Sequence, residues 1–280
     1  MNGIEQRAAR ILVALSATAE TRIELELYRY LLGDAPPEIV GLVVEDPALL
    51  AHAGSRLARE IVLSGLERRL ELAALERQLR ARAAEWRRAL EAESARLGVR
   101  VALETVREER RAALRAAAER ADALIVDTSA LRDALDIWTT LPSRAPLRTL
   151  VLTPGRPRSA DIVVVTDEAA PGSAADSPLA AALRIARRTG ARLTVLDAAR
   201  RRAPPAFARE LLGLGVRLAG YAPLEPGRVD AATLAAHAAH AGLLVLPAAA
   251  SADPVLVSDL ATRLRGALML LRGGSPRADT

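Results

Sequence analysis

The chain has 280 residues, 51% hydrophobic and 26% charged, a balance that suits folded globular domains and excludes a disordered chain. It has no cysteine, and all 39 basic residues are arginine. Disulfides, thiolate metal sites, iron–sulfur clusters and cysteine nucleophiles are thereby excluded, as are P-loop NTPases, protein kinases and pyridoxal enzymes, each of which needs a lysine.

At roughly 100–200 residues per domain the length predicts two domains. The net charge of +5 lies wholly in residues 156–280, because residues 1–155 hold as many acids as arginines. Arg200, Arg201 and Arg202, with Arg184, Arg187, Arg188 and Arg192 nearby, could draw an anionic surface; the plainer account is a solvated helix face and a loop. Aromatics make up 2%, too few to stack bases, so no specific nucleic-acid partner is expected. The N-terminus MNGIEQRAAR has no apolar signal core and no apolar run reaches the ~18 residues of a bilayer span. A cytoplasmic, non-membrane-spanning protein is the expectation.

In chain order, RILVALS at 10–16 predicts a strand, Thr21–Leu32 a helix, and EIVGLVVED at 38–46 a second strand. A helical insertion follows at about 47–97, with a long helix placed at 59–97. Its apolar positions Leu72, Leu75, Leu79, Ala83, Trp86 and Leu90 step by three and four, one stripe of a helix. Glu76 and Arg80 are spaced to pair at i, i+4. Such a helix either projects as a docking arm or caps its own domain. Residues 98–128 then give strand, turn, Ala-rich helix and strand, and TLVLTPG at 149–155 a further strand.

The Pro-, Gly- and Arg-rich TPGRPRS at 153–159 reads as a boundary, dividing 1–155 from 160–280. Beyond it come strand DIVVVTD at 161–167, a helix over Leu179–Thr189 capped by Ser177 before Pro178, strand ARLTVLDA at 191–198, and a short helix near Pro204–Leu214. Residues 215–247 repeat the plan of 98–128: each copy opens Gly-Val-Arg and ends in a short apolar strand, and the second closes on ALMLLRGG at 267–274. The strands are near-continuous Val/Ile/Leu runs, as in parallel sheets covered on both faces. Strands alternating with helices give an α/β fold.

This order of elements, duplicated, resembles a tandem universal stress protein; RILVALS, EIVGLVVEDP, ADALIVDT and AGLLVLP all stand where that family has its strands. The resemblance implies two Rossmann-like (adenine nucleotide alpha hydrolase-like) domains, each a five-stranded parallel sheet in order 3-2-1-4-5 with helices on both faces. It also implies an internal pseudo-dimer through the last strands, TLVLT against ALMLL, and leaves a further homodimer open.

Ligands of such sheets sit beyond the carboxyl ends of the strands where strand order reverses. Nucleotide-binding relatives have an aspartate after the first strand, and G-x-x-G, nine residues and G-[ST] after the fourth. In the first half the aspartate position is Ser16, the glycine positions are Asp127, Ala130 and Thr140, and the hydroxyl position is Leu141. In the second half Asp167 takes the aspartate position, with Pro247, Ala250, Leu260 and Ala261 on the others. Glycines let backbone amides approach phosphates. Asp127 would instead repel one, and Pro247 removes an amide donor.

The crevice positions are therefore Ser16, Asp127, Thr128, Ser129 and Asp167, with Ser129 placed as the cap of a helix starting at Ala130. The resulting expectation is a non-enzymatic regulatory or scaffolding protein without a cofactor, acting on a protein partner through the long helix 59–97. The alternative is a sensor binding ATP or AMP in the second half alone. His237 and His240 at i, i+3 lack a third ligand and fit a helix flank, and the acidic pair Glu45 and Asp46 fits a loop. Neither a GxSxG elbow nor a complete nucleophile–base–orienter set is present.

Overall fold

The computed structural model describes residues 9–15, 35–55, 58–61, 67–69, 71–142, 144–153, 160–167, 177–199, 205–224 and 229–272. Ser16, the helix expected at Thr21–Leu32, most of the 153–159 boundary and Arg200–Arg202 lie outside them.

The elements run β1 (Arg10–Leu15), β2 (Glu38–Val44), α1 (Pro47–Ala53), β3 (Arg59–Ile61), β4 (Glu67–Arg69), α2 (Leu72–Leu97), β5 (Arg100–Val106), α3 (Arg110–Ala118), β6 (Ala123–Asp127), a single 3-10 turn (Thr128–Ala130), α4 (Leu131–Thr140) and β7 (Thr149–Thr153). They continue as β8 (Ile162–Thr166), α5 (Pro178–Thr189), β9 (Arg192–Asp197), α6 (Pro205–Gly213), β10 (Arg217–Pro223), α7 (Ala231–His237), β11 (Leu243–Leu246), α8 (Ala248–Ser251), α9 (Pro254–Arg263) and β12 (Ala267–Leu271).

Ten strands form one continuous sheet in the order β10-β9-β8-β11-β12-β7-β6-β1-β2-β5. Every pairing is parallel except β7 with β12, where Leu152 faces Leu268 and Val151 faces Met269. TLVLT does lie against ALMLL, and that one antiparallel seam reverses the sheet's polarity. The carboxyl ends of β1, β2, β5 and β6 therefore point to one end of the sheet, and those of β8 to β11 to the other.

The near-continuous apolar strands bury side chains on both faces, since neighbouring residues point opposite ways. Ile11, Val13, Ile125 and Val164 join one core with residues of α2, α5 and α6. Leu12, Leu124, Val126 and Val163 join the other with residues of α3, α4, α7 and α9.

The repeated Gly-Val-Arg has a local cause. Gly98 and Gly215 take φ of 62° and 75°, the left-handed conformation that ends a helix and that glycine adopts without strain. Val99 and Val216 then drop into the core, 4% and 1% exposed, and Arg100 and Arg217 open β5 and β10.

The insertion departs from expectation. The long helix starts at Leu72, not at residue 59; Arg59–Ile61 and Glu67–Arg69 pair as an antiparallel hairpin, β3 with β4. Ile61, which closes β3, is β-branched and favours a strand over a helix. Nor does α2 simply project. Leu79, Trp86, Leu90 and Leu97 are all buried, and the last three join the core on that face of the sheet. The helix lies close over β2 because Gly41 has no side chain: a Cβ there would stand 2.6 Å from Leu90 Cδ1. Glu76 and Arg80 form no ion pair with each other; the helix's salt bridges include Arg82–Glu85 and Arg96–Glu93, both at 2.8 Å.

Candidate functional site

Two crossovers are candidates: β1 beside β6, and β8 beside β11. At the first, β6 ends on Asp127, whose carboxylate turns back along the chain instead of outward. Its Oδ1 accepts from the backbone N–H of Ser129 at 2.8 Å and from the Ser129 hydroxyl at 2.5 Å. Asp127 is thus the cap of the turn Thr128–Ala130, and α4 begins only at Leu131. This corrects the placement of Ser129 as cap. Ser129 gives its amide to the aspartate because a carboxylate right after a strand meets amides two residues on more readily than a hydroxyl inside the turn does. Thr128 and Ser129 are exposed and Ala130 is buried.

At the second crossover Asp167 follows β8, exposed, and its carboxylate forms no hydrogen bond or ion pair among the described residues. Across from it β11 runs into Pro247, which has no N–H to offer a ligand. Pro247 instead accepts from Ser251 N through its carbonyl at 2.9 Å, closing α8. Asp253 then starts α9, accepting from the amides of Val255 and Leu256 at 2.9 and 3.1 Å.

A buried carboxylate nearby escaped the sequence reading. Asp197, at the end of β9, is 2% exposed, accepts from Ala199 N at 2.8 Å and also accepts the Tyr221 hydroxyl proton. In register it faces Thr166, the residue before Asp167. The signal was available: Asp197 stands where Glu45 and Asp46 stand in the first half, at the end of the second strand. Those two are also engaged. Asp46 caps α1 through Ala48 N at 2.8 Å, and Glu45 pairs with Arg107 at 3.0 Å.

Asp46, Asp127, Asp197, Asp230 and Asp253 therefore all accept backbone amides at element ends. Among the described residues no group of three or more His, Asp or Glu could hold a metal ion. His237 and His240 are exposed. No helix among the described residues is long and apolar enough to cross a membrane.

No family model matches the sequence, and no curated protein matches it. Solved structures do. One is a universal stress protein from Archaeoglobus fulgidus, 14% identical, with a TM-score of 0.53 over 95% of this chain and 97% of that one. Another is the cytoplasmic domain of a prokaryotic cation chloride cotransporter, 13% identical, with a TM-score of 0.51 over 97% of this chain and 98% of that one. At such identities the likeness is one of fold.

The two crossover turns can be compared for what each offers an anion. A phosphate on the β6–α4 turn would compete with the Asp127 carboxylate for the Ser129 amide and would meet its negative charge. On the β11–α8 turn it would meet a proline.

Proposed function

We propose that this chain is a non-enzymatic regulatory or scaffolding module of the universal stress protein type, acting through contacts with another protein and not through ATP bound in that family's manner. The observation that carries the reading is the Asp127 carboxylate bonded to Ser129 N, at the place where a nucleotide cradle would offer bare amides. Support also comes from the fold's occurrence as the cytoplasmic domain of a cotransporter, where it is one part of a larger protein. Millimolar ATP is expected to leave both the melting temperature and the backbone amide spectrum unchanged. Saturable micromolar binding would overturn the reading.

A second reading, ATP or AMP sensing by the second half alone, is favoured by one observation. Asp167 stands exposed at the end of β8, with no bond among the described residues, where it could meet a base. It predicts adenylate binding that Asp167→Asn abolishes while Asp127→Asn leaves it intact.

A further inference from the structure

We propose that the outward face of α2 is a docking surface for an acidic helix of a partner protein. This deepens the regulatory reading above and rests on it. At about 100° per residue, Leu79, Trp86, Leu90 and Leu97 fall within an arc of roughly 40° that faces the sheet. Turned away from that stripe, roughly 80–180° round from it, Arg77, Arg80, Arg87 and Arg88 share an arc of roughly 100°. All four are exposed, and none has an ion-pair or hydrogen-bond partner among the described residues.

The contrast with the flanks is informative. Arg82 and Arg96, on the other flank, roughly 60–100° from the buried stripe in the opposite sense, find Glu85 and Glu93 three residues away. Glu91 is the one carboxylate on the outward arc and bridges to no arginine. The face is therefore a row of unneutralised guanidinium groups, separated by the exposed, small Ala81 and Ala84 that let another backbone come close. Like charge also gathers just upstream, where Arg59 and Arg69 oppose each other across the β3–β4 hairpin, both exposed and without an ion-pair partner among the described residues. Opposed like charges cost stability in an isolated hairpin and are relieved by an anionic partner.

Charge selects the occupant. A second copy laid symmetrically on this face would set arginine against arginine, which disfavours a homodimer here. Arg77, Arg80 and Arg87, with Ala84 between, step by three and four, the spacing at which carboxylates line one side of another helix, about 5–6 Å apart. The planar guanidinium fork grips a carboxylate in two-pronged fashion. No aromatic residue lies on the outward arc to stack a base, so a nucleic acid would be held by its phosphates alone.

The test is fluorescence anisotropy on the full chain with a labelled helical peptide of alanine and glutamate, the glutamates spaced alternately by three and four. A labelled DNA duplex and an alanine–lysine helix serve as comparison probes. The quadruple variant Arg77→Gln, Arg80→Gln, Arg87→Gln, Arg88→Gln is set against a variant that loses equal charge elsewhere, Arg132→Gln, Arg209→Gln, Arg263→Gln, Arg265→Gln. Both should melt like the parent, because every substituted side chain is exposed and without a bond in the structure. The expected result is saturable binding of the acidic helix, weakened tenfold or more by the first variant and less than twofold by the second. Equal weakening by both, tighter binding of the duplex, or no binding of the acidic helix would overturn the proposal. A natural partner indifferent to the first variant would also overturn it while leaving the regulatory reading intact; micromolar ATP binding would do the reverse.

Discussion

The indole N–H of Trp138, on α4, donates to the backbone carbonyl of Ser251, at the end of α8, across 3.1 Å of the interior and 113 residues of sequence. Arg272 closes the arrangement. Its guanidinium carbon lies 4.6 Å from the Trp138 ring centroid, and its nitrogens donate to the carbonyls of Trp138, Leu141 and Pro142. Partial burial, then the nearby Arg148 charge, holds its pKa below the ordinary guanidinium range. These contacts sit over the single antiparallel seam and lock the two polarities of the sheet together. Trp138→Phe leaves a buried carbonyl without its donor and should cost about 2 kcal/mol in urea denaturation. Arg272→Ala should cost about 1 kcal/mol, and the double variant less than the sum. Strict additivity would mean the two side chains act independently.

Asp127, not Ser129, is the helix-start residue that matters. Asp127→Ala should lower stability by about 1 kcal/mol, the usual loss when a capping carboxylate is removed. Ser129→Ala should change it by less than about 0.5 kcal/mol, since the amide keeps its acceptor. Thermal melts of both variants decide the matter; a larger loss from Ser129→Ala would reinstate the hydroxyl as the cap.

Gly41 sets the height of α2 above the sheet. A Cβ there would fall 2.6 Å from Leu90 Cδ1 and 3.0 Å from the Cδ1 atoms of both Leu103 and Leu15. Leucine tips can swing away, so Gly41→Ala should cost about 1 kcal/mol and Gly41→Val nearer 3, as overpacked cores do. Pairing Gly41→Ala with Leu90→Val should recover part of the loss. Full wild-type stability in Gly41→Val would show that α2 rides higher than described.

Tyr221→Phe takes one donor from a carboxylate that is 2% exposed. A loss of about 1–3 kcal/mol is expected, together with weaker amide protection at Ala199, whose N–H shares that carboxylate. Unchanged protection there would separate the hydroxyl from the turn.

The ion pairs between α3 and α4, Arg110–Asp133 at 2.9 Å and Arg111–Asp136 at 2.6 Å, are partly solvated. Joint replacement of both arginines by alanine should cost no more than about 1.5 kcal/mol at low salt, and molar salt should erase most of that difference. A salt-independent loss would point to packing by the arginine stems.

Sequence alone determined the layered plan. Runs such as DIVVVTD and AGLLVLP are apolar at every position, so they must be covered on both faces, and that fixes parallel strands between helices before any contact is known. The Gly-Val-Arg repeat and the Ser177-Pro178 helix start were equally legible, because each depends on one residue's own backbone preference or donor. Tertiary structure decided what depends on distance along the chain. The stripe from Leu72 to Leu97 describes an apolar face whether a sheet or another protein covers it, and only Gly41, brought beneath Leu90 by the β2 register, settles that this sheet does. Asp127 read as a charge aimed at a ligand; whether its carboxylate faces outward or back to Ser129 N turns on a few torsion angles that no residue pattern encodes. The seam residues Trp138, Ser251 and Arg272 carry no common motif, and they meet because two separately specified half-sheets join through one antiparallel pair.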